Sequence, residues 1–266
     1  MSGLNLATAP SEAAARDPEA VAVRLGEVAL TYRGLEESAA RAAAMLRAQG
    51  VERGDRVGLM LPNVLAFPVL YYGILRAGAV VVPMNTLLKR REVVHYLRDS
   101  GARLLFCWHE AIAEARAGAA EAGAEVASIG PCELHDLIAE HRPESEIAAT
   151  AAGDTAAILY TSGTTGQPKG AELTHRNLDE NAGVFARTMT EVAPGDVVIG
   201  VLPLFHSFGQ TGVMNATLRS GATLELIQRS TPATRWRRWS ATAQGRGPAP
   251  LRAHLRLQDP RGLRAL

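Results

Sequence analysis

The stretch YTSGTTGQPKGAELTHRN, from Tyr160 to Asn177, concentrates glycines, hydroxyl side chains, one proline and one lysine. Glycines permit backbone angles that turn several peptide N–H groups toward one point, and the hydroxyl groups add further donors. Lys169 adds a mobile positive charge, and Pro168 restricts the chain just before it. Converging donors with one cation suit a polyphosphate, because charge-assisted hydrogen bonds to phosphate are stronger than neutral ones. The candidate phosphate-binding residues are Thr161, Ser162, Gly163, Thr164, Thr165, Gly166 and Lys169.

The spacing of this stretch excludes an ordinary P-loop NTPase. The Walker pattern requires Gly-Lys-Ser/Thr after four variable residues. Counting from Gly163, the second glycine would fall on Pro168, and Gly170 follows Lys169 instead of preceding it. A solvated turn is the alternative interpretation. The apolar run before the loop and the amphipathic stretch after it instead predict a strand, a loop and a helix in register.

The elements around this loop alternate between short apolar runs and amphipathic stretches. The predicted strands cover residues 56–61, 79–84, 103–108, 155–162, 197–204 and 222–227. The predicted helices run from a Thr31 cap to Gly50, from an Asn63 cap to Ala77, and over 89–101 and 111–124, whereas residues 141–154 read as a loop. Strands separated by helices indicate an α/β fold with a mostly parallel sheet flanked by helices on both faces. A loop after such a strand lies at the carboxyl edge, where these folds bind ligands.

The composition is that of a globular protein. The chain has 266 residues, of which 47% are hydrophobic and 21% charged, enough for one large domain or two small ones. Two cysteines, Cys107 and Cys132, are too few for a disulfide framework and fit no metal-ligand spacing, which favours a reducing, cytoplasmic location. The N-terminus lacks the features of a signal peptide, and the longest apolar run, Val64–Leu75, is too short to span a bilayer.

Several motifs together resemble one known family. YTSGTTGQPKG is similar to the phosphate-loop signature of the adenylate-forming, or AMP-binding, superfamily, which includes acyl-CoA synthetases, peptide-synthetase adenylation domains and luciferases. The run LTYRGLEESAARAAAMLRAQGVERGDRVGLMLPN resembles the opening segment of that family, GILRAGAVVVPMN its second motif, and LPLFHSFG the motif after the phosphate loop. The resemblance implies the N-terminal domain of an adenylate-forming enzyme, in truncated form.

The resemblance also implies an activity. Members of this family use ATP to convert a carboxylate into an acyl-adenylate with loss of pyrophosphate, and coenzyme A then displaces AMP to give a thioester. By this resemblance, residues from Thr161 to Lys169 hold the β- and γ-phosphates, and Lys169 stabilises the departing pyrophosphate. The run PMNTLLKRREVVHYLRDSGARLLF looks like fatty-acyl and related CoA ligases more than like amino-acid adenylation domains. The implied small molecules are therefore ATP, Mg²⁺, coenzyme A and a carboxylic acid of the fatty-acid type.

A second site is implied by the run PLFHSFGQT. The resemblance places His206 beside the reacting carboxylate as a catalytic residue, with Ser207, Phe208 and Gly209 contributing to substrate binding. A neutral imidazole can donate a hydrogen bond to a carboxylate, and a protonated one can also offset its charge. The residues alone leave open a histidine that caps a helix near Ser207 or packs at a strand end.

The resemblance ends near residue 228, where the composition changes. From Arg229 to Leu266 there are nine arginines and one acidic residue, Asp259. This tail could be an arginine- and tryptophan-rich arm that binds nucleic acid or anionic membrane, or the product of a changed reading frame. We favour the second interpretation and expect no nucleic-acid partner, because a neighbouring frame of GC-rich codons for Thr234–Gln244 reads closer to the family.

This interpretation predicts two regions in the chain and leaves several residues of the family without a counterpart. We expect a partial AMP-binding domain at residues 1–228 and a non-native or disordered tail at residues 229–266. The family's Mg²⁺-binding Thr-Glu pair, its ribose-binding aspartate and its C-terminal lysine are not identified in this chain, so no metal ligand is assigned. Two alternatives to a ligase therefore remain: a nucleotide-binding remnant without turnover, and an arginine-rich protein that binds anionic partners.

Overall fold

The computed structural model describes residues 4–131, 133–161 and 167–227. Several sequence-based expectations lie outside these residues, namely those for Cys132, for the tail at 229–266, and for Ser162, Gly163, Thr164, Thr165 and Gly166.

The described residues form ten strands in two sheets. The strands are β1 (Val21–Leu25), β2 (Val28–Thr31), β3 (Arg56–Met60), β4 (Val80–Pro83), β5 (Leu104–Trp108), β6 (Glu125–Ile129), β7 (Thr155–Thr161), β8 (Lys169–Thr174), β9 (Val197–Gly200) and β10 (Thr223–Leu226). One sheet has six strands in the order β6-β5-β3-β4-β7-β8, and the other has four in the order β2-β1-β10-β9. All neighbours are parallel except the pairs β7–β8 and β1–β2. The predicted α/β class is confirmed, but the strands divide into two sheets where the pattern suggested one.

Eight α-helices connect these strands within the described residues. They are α1 (Thr8–Arg16), α2 (Tyr32–Ala48), α3 (Ala66–Arg76), α4 (Arg90–Ser100), α5 (Ile112–Ala122), α6 (Glu133–Ala139), α7 (His175–Val184) and α8 (Ala216–Ser220). Two helix ends, the start of α2 and the end of α4, were predicted from the sequence. The Thr31 hydroxyl accepts a hydrogen bond from the N–H of Gly34, 3.1 Å away, as an N-cap does. Gly101 ends α4 with a φ of 68°, a left-handed conformation that favours glycine.

Helices cover both faces of the six-stranded sheet, as expected. On one face, α4 and α5 pack Val93 and Ala115 into a cluster with Val82 and Leu105. The other face contributes to the main core, which contains residues of both sheets together with α2 and α3. All eleven residues of α3 are buried. The two sheets therefore share one apolar core around α3.

Three local expectations were wrong. Asn63 does not cap α3, which begins at Ala66, because its amide bonds instead to the backbone that follows β9. A strand, β8, stands between the glycine-rich loop and the next helix. The predicted strand at 197–204 ends at Gly200, before Pro203, which has no N–H to donate to a ladder. Across the described residues, no helix is both long and apolar enough to cross a membrane.

The N-terminal segment is held in place by a buried histidine. The ring Nδ1 of His175, at the start of α7, accepts a hydrogen bond from the backbone N–H of Leu6 at 3.1 Å. The His175 side chain is 1% exposed. Burial lowers its pKa from 6.5 to about 4, and the charge of Asp154 opposes this shift only in part. The hydrogen bond requires an unprotonated Nδ1, so the folded protein holds His175 neutral.

We predict an acid-labile contribution to stability from His175. Because its folded pKa lies below the unfolded value, the unfolded chain binds the proton more tightly, and acid favours unfolding. The unfolding free energy should fall by up to about 3 kcal/mol as the pH is lowered from 6.5 toward 4. His175→Asn, which keeps an acceptor near the Nδ1 position and does not titrate, should flatten the curve in this window. Urea unfolding at a series of pH values measures the effect. An equally flat curve for His135→Asn, at a histidine that is 86% exposed, would contradict the assignment.

Candidate functional site

The first part of the site lies at the carboxyl end of β7. This strand pairs with β4 in parallel, Val81 opposite Ala157, and with β8 in antiparallel register, Thr161 opposite Lys169. The predicted phosphate-binding residues at the two ends of the loop, Thr161 and Lys169, are thus direct partners across the β7–β8 ladder. The loop between them begins at the carboxyl edge of parallel strands, as predicted.

Gly170 lets β8 approach β7 closely. A Cβ atom built on Gly170 would lie 2.8 Å from a methyl carbon of Ile158 and 3.3 Å from the Tyr160 ring. A larger residue would therefore have to displace the Ile158 side chain. Gly170 serves here for close packing and not for a left-handed backbone angle, since its φ is not positive.

Helix α4 contacts both sides of the loop. The Tyr160 ring stacks on Tyr96 with 4.0 Å between the ring centroids, and the Tyr160 hydroxyl donates to Asp99 Oδ2 at 2.7 Å. Burial, followed by this hydrogen bond to Asp99, raises the pKa of Tyr160 well above its usual value, so it remains a protonated donor. On the other side, His95 Nε2 lies 2.8 Å from the carbonyl oxygen of Pro168. The sequence analysis missed these roles. The available signal was a His–Asp pair four residues apart on one helix face.

The second part of the site follows β9 and is joined to the six-stranded sheet by Asn63. The Asn63 amide nitrogen donates to the carbonyl oxygens of Gly200 and Leu202, each at 2.9 Å, and its Oδ1 accepts from the N–H of Leu204 at 3.0 Å. Asn63 follows β3, and Gly200 ends β9. One buried amide therefore ties the carboxyl ends of the two sheets together.

His206 lies in the turn that leads from β9 into a π-helix, Phe208–Asn215. Its backbone N–H donates to the carbonyl of Pro203, and its own carbonyl accepts from the N–H of Gln210. The His206 side chain is exposed, and its ring lies 4.6 Å from that of Phe205. The two hydrogen bonds are made by the backbone, and the His206 ring forms none with the described residues. Among these residues, nothing therefore occupies the ring nitrogens that a ligand would use.

Next to His206, Phe208 and Gly209 have distinct surroundings. The Phe208 ring packs edge-on against Phe185, 5.2 Å away and at 90°, yet remains 42% exposed. A Cβ atom at Gly209 would lie 2.2 Å from the carbonyl oxygen of Pro203, so only glycine fits. Ser207 is exposed. The four predicted substrate-binding residues thus form one continuous turn with an imidazole, a hydroxyl and an aromatic face open to solvent.

A large cavity adjoins the first part of this site. It measures about 770 Å³ and lies beside α4, from the amino ends of β4 and β7 to Tyr160 and Gly170. Its charged side chains have partners among the described residues: Arg53 pairs with Asp154, Asp99 accepts from Tyr160, Glu172 accepts from Thr155, and Arg56 donates to backbone carbonyl oxygens. Neither Lys169 nor His206 lines it. Within the described parts of the chain, no group of three or more His, Cys, Asp or Glu side chains is placed to hold a metal ion.

Comparison with known proteins agrees with the sequence motifs. The AMP-binding enzyme family matches residues 10–248. The chain is 38% identical over 226 residues to a feruloyl-CoA synthase of an Amycolatopsis species, covering 85% of this chain and 44% of that protein. It is 35% identical over 201 residues to the long-chain-fatty-acid–CoA ligase FadD13 of Mycobacterium tuberculosis, covering 74% and 40%. ATP-bound MatB of Rhodopseudomonas palustris superposes with a TM-score of 0.80 at 30% identity, over 90% of this chain and 48% of that one.

These comparisons involve only part of each relative, since the chain spans about half or less of their length. The family match, in contrast, covers most of this chain and includes both parts of the site described above. The chain belongs to the family of AMP-binding enzymes.

Proposed function

We propose that this chain provides the nucleotide-phosphate and carboxylate sites of an ATP-dependent acid–CoA ligase. The carboxylate oxygen attacks the α-phosphorus of ATP, pyrophosphate leaves, and an acyl-adenylate forms. The thiol of coenzyme A then attacks the acyl carbon, AMP leaves, and a thioester results. The observation that carries the proposal is the pairing of Thr161 with Lys169 across the glycine-rich loop, at the carboxyl edge of parallel strands, in a member of the AMP-binding family.

The residue roles follow from charge and position. Lys169 and the donors of the loop, Thr161 to Gly166, are the proposed partners of the β- and γ-phosphates, where they would stabilise the charge that develops on pyrophosphate. His206 donates a hydrogen bond to the carboxylate and holds it in line with the α-phosphorus. Mg²⁺ would be supplied with ATP as the MgATP substrate, and no residue of this chain is assigned as its ligand.

The proposed substrate is a carboxylic acid with an apolar tail, of the fatty-acid type. Two relatives with different substrates in their names, a feruloyl-CoA synthase and a long-chain-fatty-acid–CoA ligase, match the chain over similar segments. Both acids have an apolar or aromatic body beyond the carboxylate. The open face of Phe208, packed on Phe185, offers such a body an aromatic contact.

A second candidate is nucleotide binding without turnover. It concerns this segment taken by itself, which spans 44% of the feruloyl-CoA synthase and 40% of FadD13. Pyrophosphate exchange with a panel of fatty and aromatic acids, run beside a calorimetric titration with MgATP, separates the two. Pyrophosphate exchange supports the ligase, and nucleotide binding without exchange supports the second candidate. If neither binding nor exchange is observed, both candidates are refuted.

Replacing His206 by alanine tests its proposed role. Exchange should fall by about tenfold to a hundredfold, since a hydrogen bond to a charged group contributes about 1.5–3 kcal/mol. The affinity for MgATP should change by less than about twofold, because the imidazole contacts the acid and not the phosphates. Equal losses in exchange and in nucleotide affinity would contradict this role. His135→Ala, at an exposed histidine of α6, is the matched control.

A further inference from the structure

Among the residues that the structure describes, the Lys169 side chain has no partner that could direct it. It is exposed and forms no hydrogen bond or ion pair with them. A lysine side chain is flexible, so its direction depends on the backbone that carries it. Lys169 is the first residue of β8, where a strand would ordinarily fray.

The backbone just before Lys169 is held from α4. His95 Nε2 lies 2.8 Å from the carbonyl oxygen of Pro168. A carbonyl only accepts hydrogen bonds, so Nε2 carries the hydrogen. That carbonyl belongs to the same rigid peptide plane as the N–H of Lys169. The hydrogen bond therefore fixes one side of the plane, while the pairing of Thr161 with Lys169 holds the strand on the other.

The helix that carries His95 is itself fixed to β7. The His95 ring meets the Tyr160 ring edge-on at 6.0 Å, and Tyr96 stacks on the same ring. The Tyr160 hydroxyl donates to Asp99, one helical turn after His95. One face of α4 thus contacts both β7, which leads into the loop, and the Pro168–Lys169 peptide, which follows the loop.

We propose that His95 is a positioning residue that pre-orients Lys169 for nucleotide phosphates. This inference rests on the proposed function of the glycine-rich loop. The hydrogen bond of His95 is to a backbone carbonyl and its ring packs on Tyr160, so in this proposal it acts through Lys169 and touches neither phosphate nor acid. Fixing a binding group before the ligand arrives reduces the entropy lost on binding, and the hydrogen bond therefore increases affinity.

Two substitutions separate the hydrogen bond from the packing of the ring. His95→Phe keeps a ring against Tyr160 and loses the donor, whereas His95→Gln keeps an N–H donor at nearly the same reach and loses the ring. Calorimetric titration of the full chain with MgATP should show affinity about fivefold to tenfold weaker for the phenylalanine variant, as expected for one lost hydrogen bond. The glutamine variant should remain within about twofold of the wild type. His135→Phe, an exposed site on α6, controls for the substitution itself.

A second measurement does not depend on nucleotide binding. Hydrogen–deuterium exchange of the peptide covering residues 167–172 should be faster in His95→Phe than in the wild type and unchanged in His95→Gln. If the wild type binds no MgATP, the proposed function fails, and hydrogen–deuterium exchange alone then decides whether His95 orders this segment. Equal hydrogen–deuterium exchange in all variants, or equal loss of ATP affinity in the phenylalanine and glutamine variants, would overturn the positioning role.

Discussion

Replacing Lys169 by methionine is expected to reduce pyrophosphate exchange by about a hundredfold or more. Methionine keeps an unbranched side chain of similar length and removes the positive charge. The charge matters most when pyrophosphate leaves, because negative charge then accumulates on the β-phosphate, and removing one pre-oriented donor from such a site costs about 10²–10³ in rate. The measurement is exchange at saturating ATP with the best acid of the panel. Nucleotide affinity, measured by calorimetry, should also fall, but by a smaller factor.

The chain provides its own control for this substitution. Lys89 is the only other lysine in the sequence. It precedes α4, is 74% exposed, and pairs with Glu114 of α5 at 3.6 Å. Lys89→Met should leave exchange and affinity unchanged. Lys169→Arg should retain part of the activity, since the charge remains but the guanidinium is larger and planar. Similar losses of pyrophosphate exchange for Lys89→Met and Lys169→Met would show that the net charge of the protein, and not the position of Lys169, explains the effect.

The sequence predicted the local elements better than their arrangement. The cap at Thr31 and the end of α4 at Gly101 were predicted because cap chemistry depends on residues only a few positions apart. The pairing of β1 with β10, Val23 opposite Leu224, joins residues about two hundred positions apart. Apolar periodicity shows that a strand is buried but not which strand lies beside it. For this reason one sheet was expected where the protein has two.

The candidate site shows the same difference between local features, which the sequence predicts, and long-range contacts, which it does not. Lys169 and His206 were proposed because the residues around each of them match short motifs of the family. The sequence predicts a helix cap at Asn63, because an asparagine often precedes an apolar helix. Its actual hydrogen-bond partners, Gly200 and Leu202, lie far along the chain, where local patterns give no information. The role of His95 was missed for a similar reason, because its partner, Pro168, lies on another element.

Replacing Arg76 by methionine is expected to destabilise the protein by about 3–5 kcal/mol. The Arg76 side chain is 1% exposed and pairs with Glu36 of α2 at 2.6 Å. It also donates to the hydroxyl of Ser11 on α1 and to the carbonyl oxygens of Glu144 and Ser145, at 3.1–3.2 Å. Removing the guanidinium leaves acceptors without their donor, among them two carbonyl oxygens and the Glu36 carboxylate, whose side chain is 30% exposed, and losing these hydrogen bonds together costs several kcal/mol. Urea unfolding followed by circular dichroism measures the change.

A double-mutant cycle shows whether the cost arises from the unpaired carboxylate. Glu36→Met should recover part of the stability when combined with Arg76→Met, because no charge is then left without its partner. The recovery should be incomplete, since the carbonyl oxygens of Glu144 and Ser145 remain without their donor. Arg33→Met is the matched control: Arg33 pairs with Glu19, is 56% exposed, and should change stability by less than about 1 kcal/mol. If Arg76→Met and Arg33→Met had equal effects, the buried guanidinium would not be what holds α1, α2 and the 144–145 segment to α3.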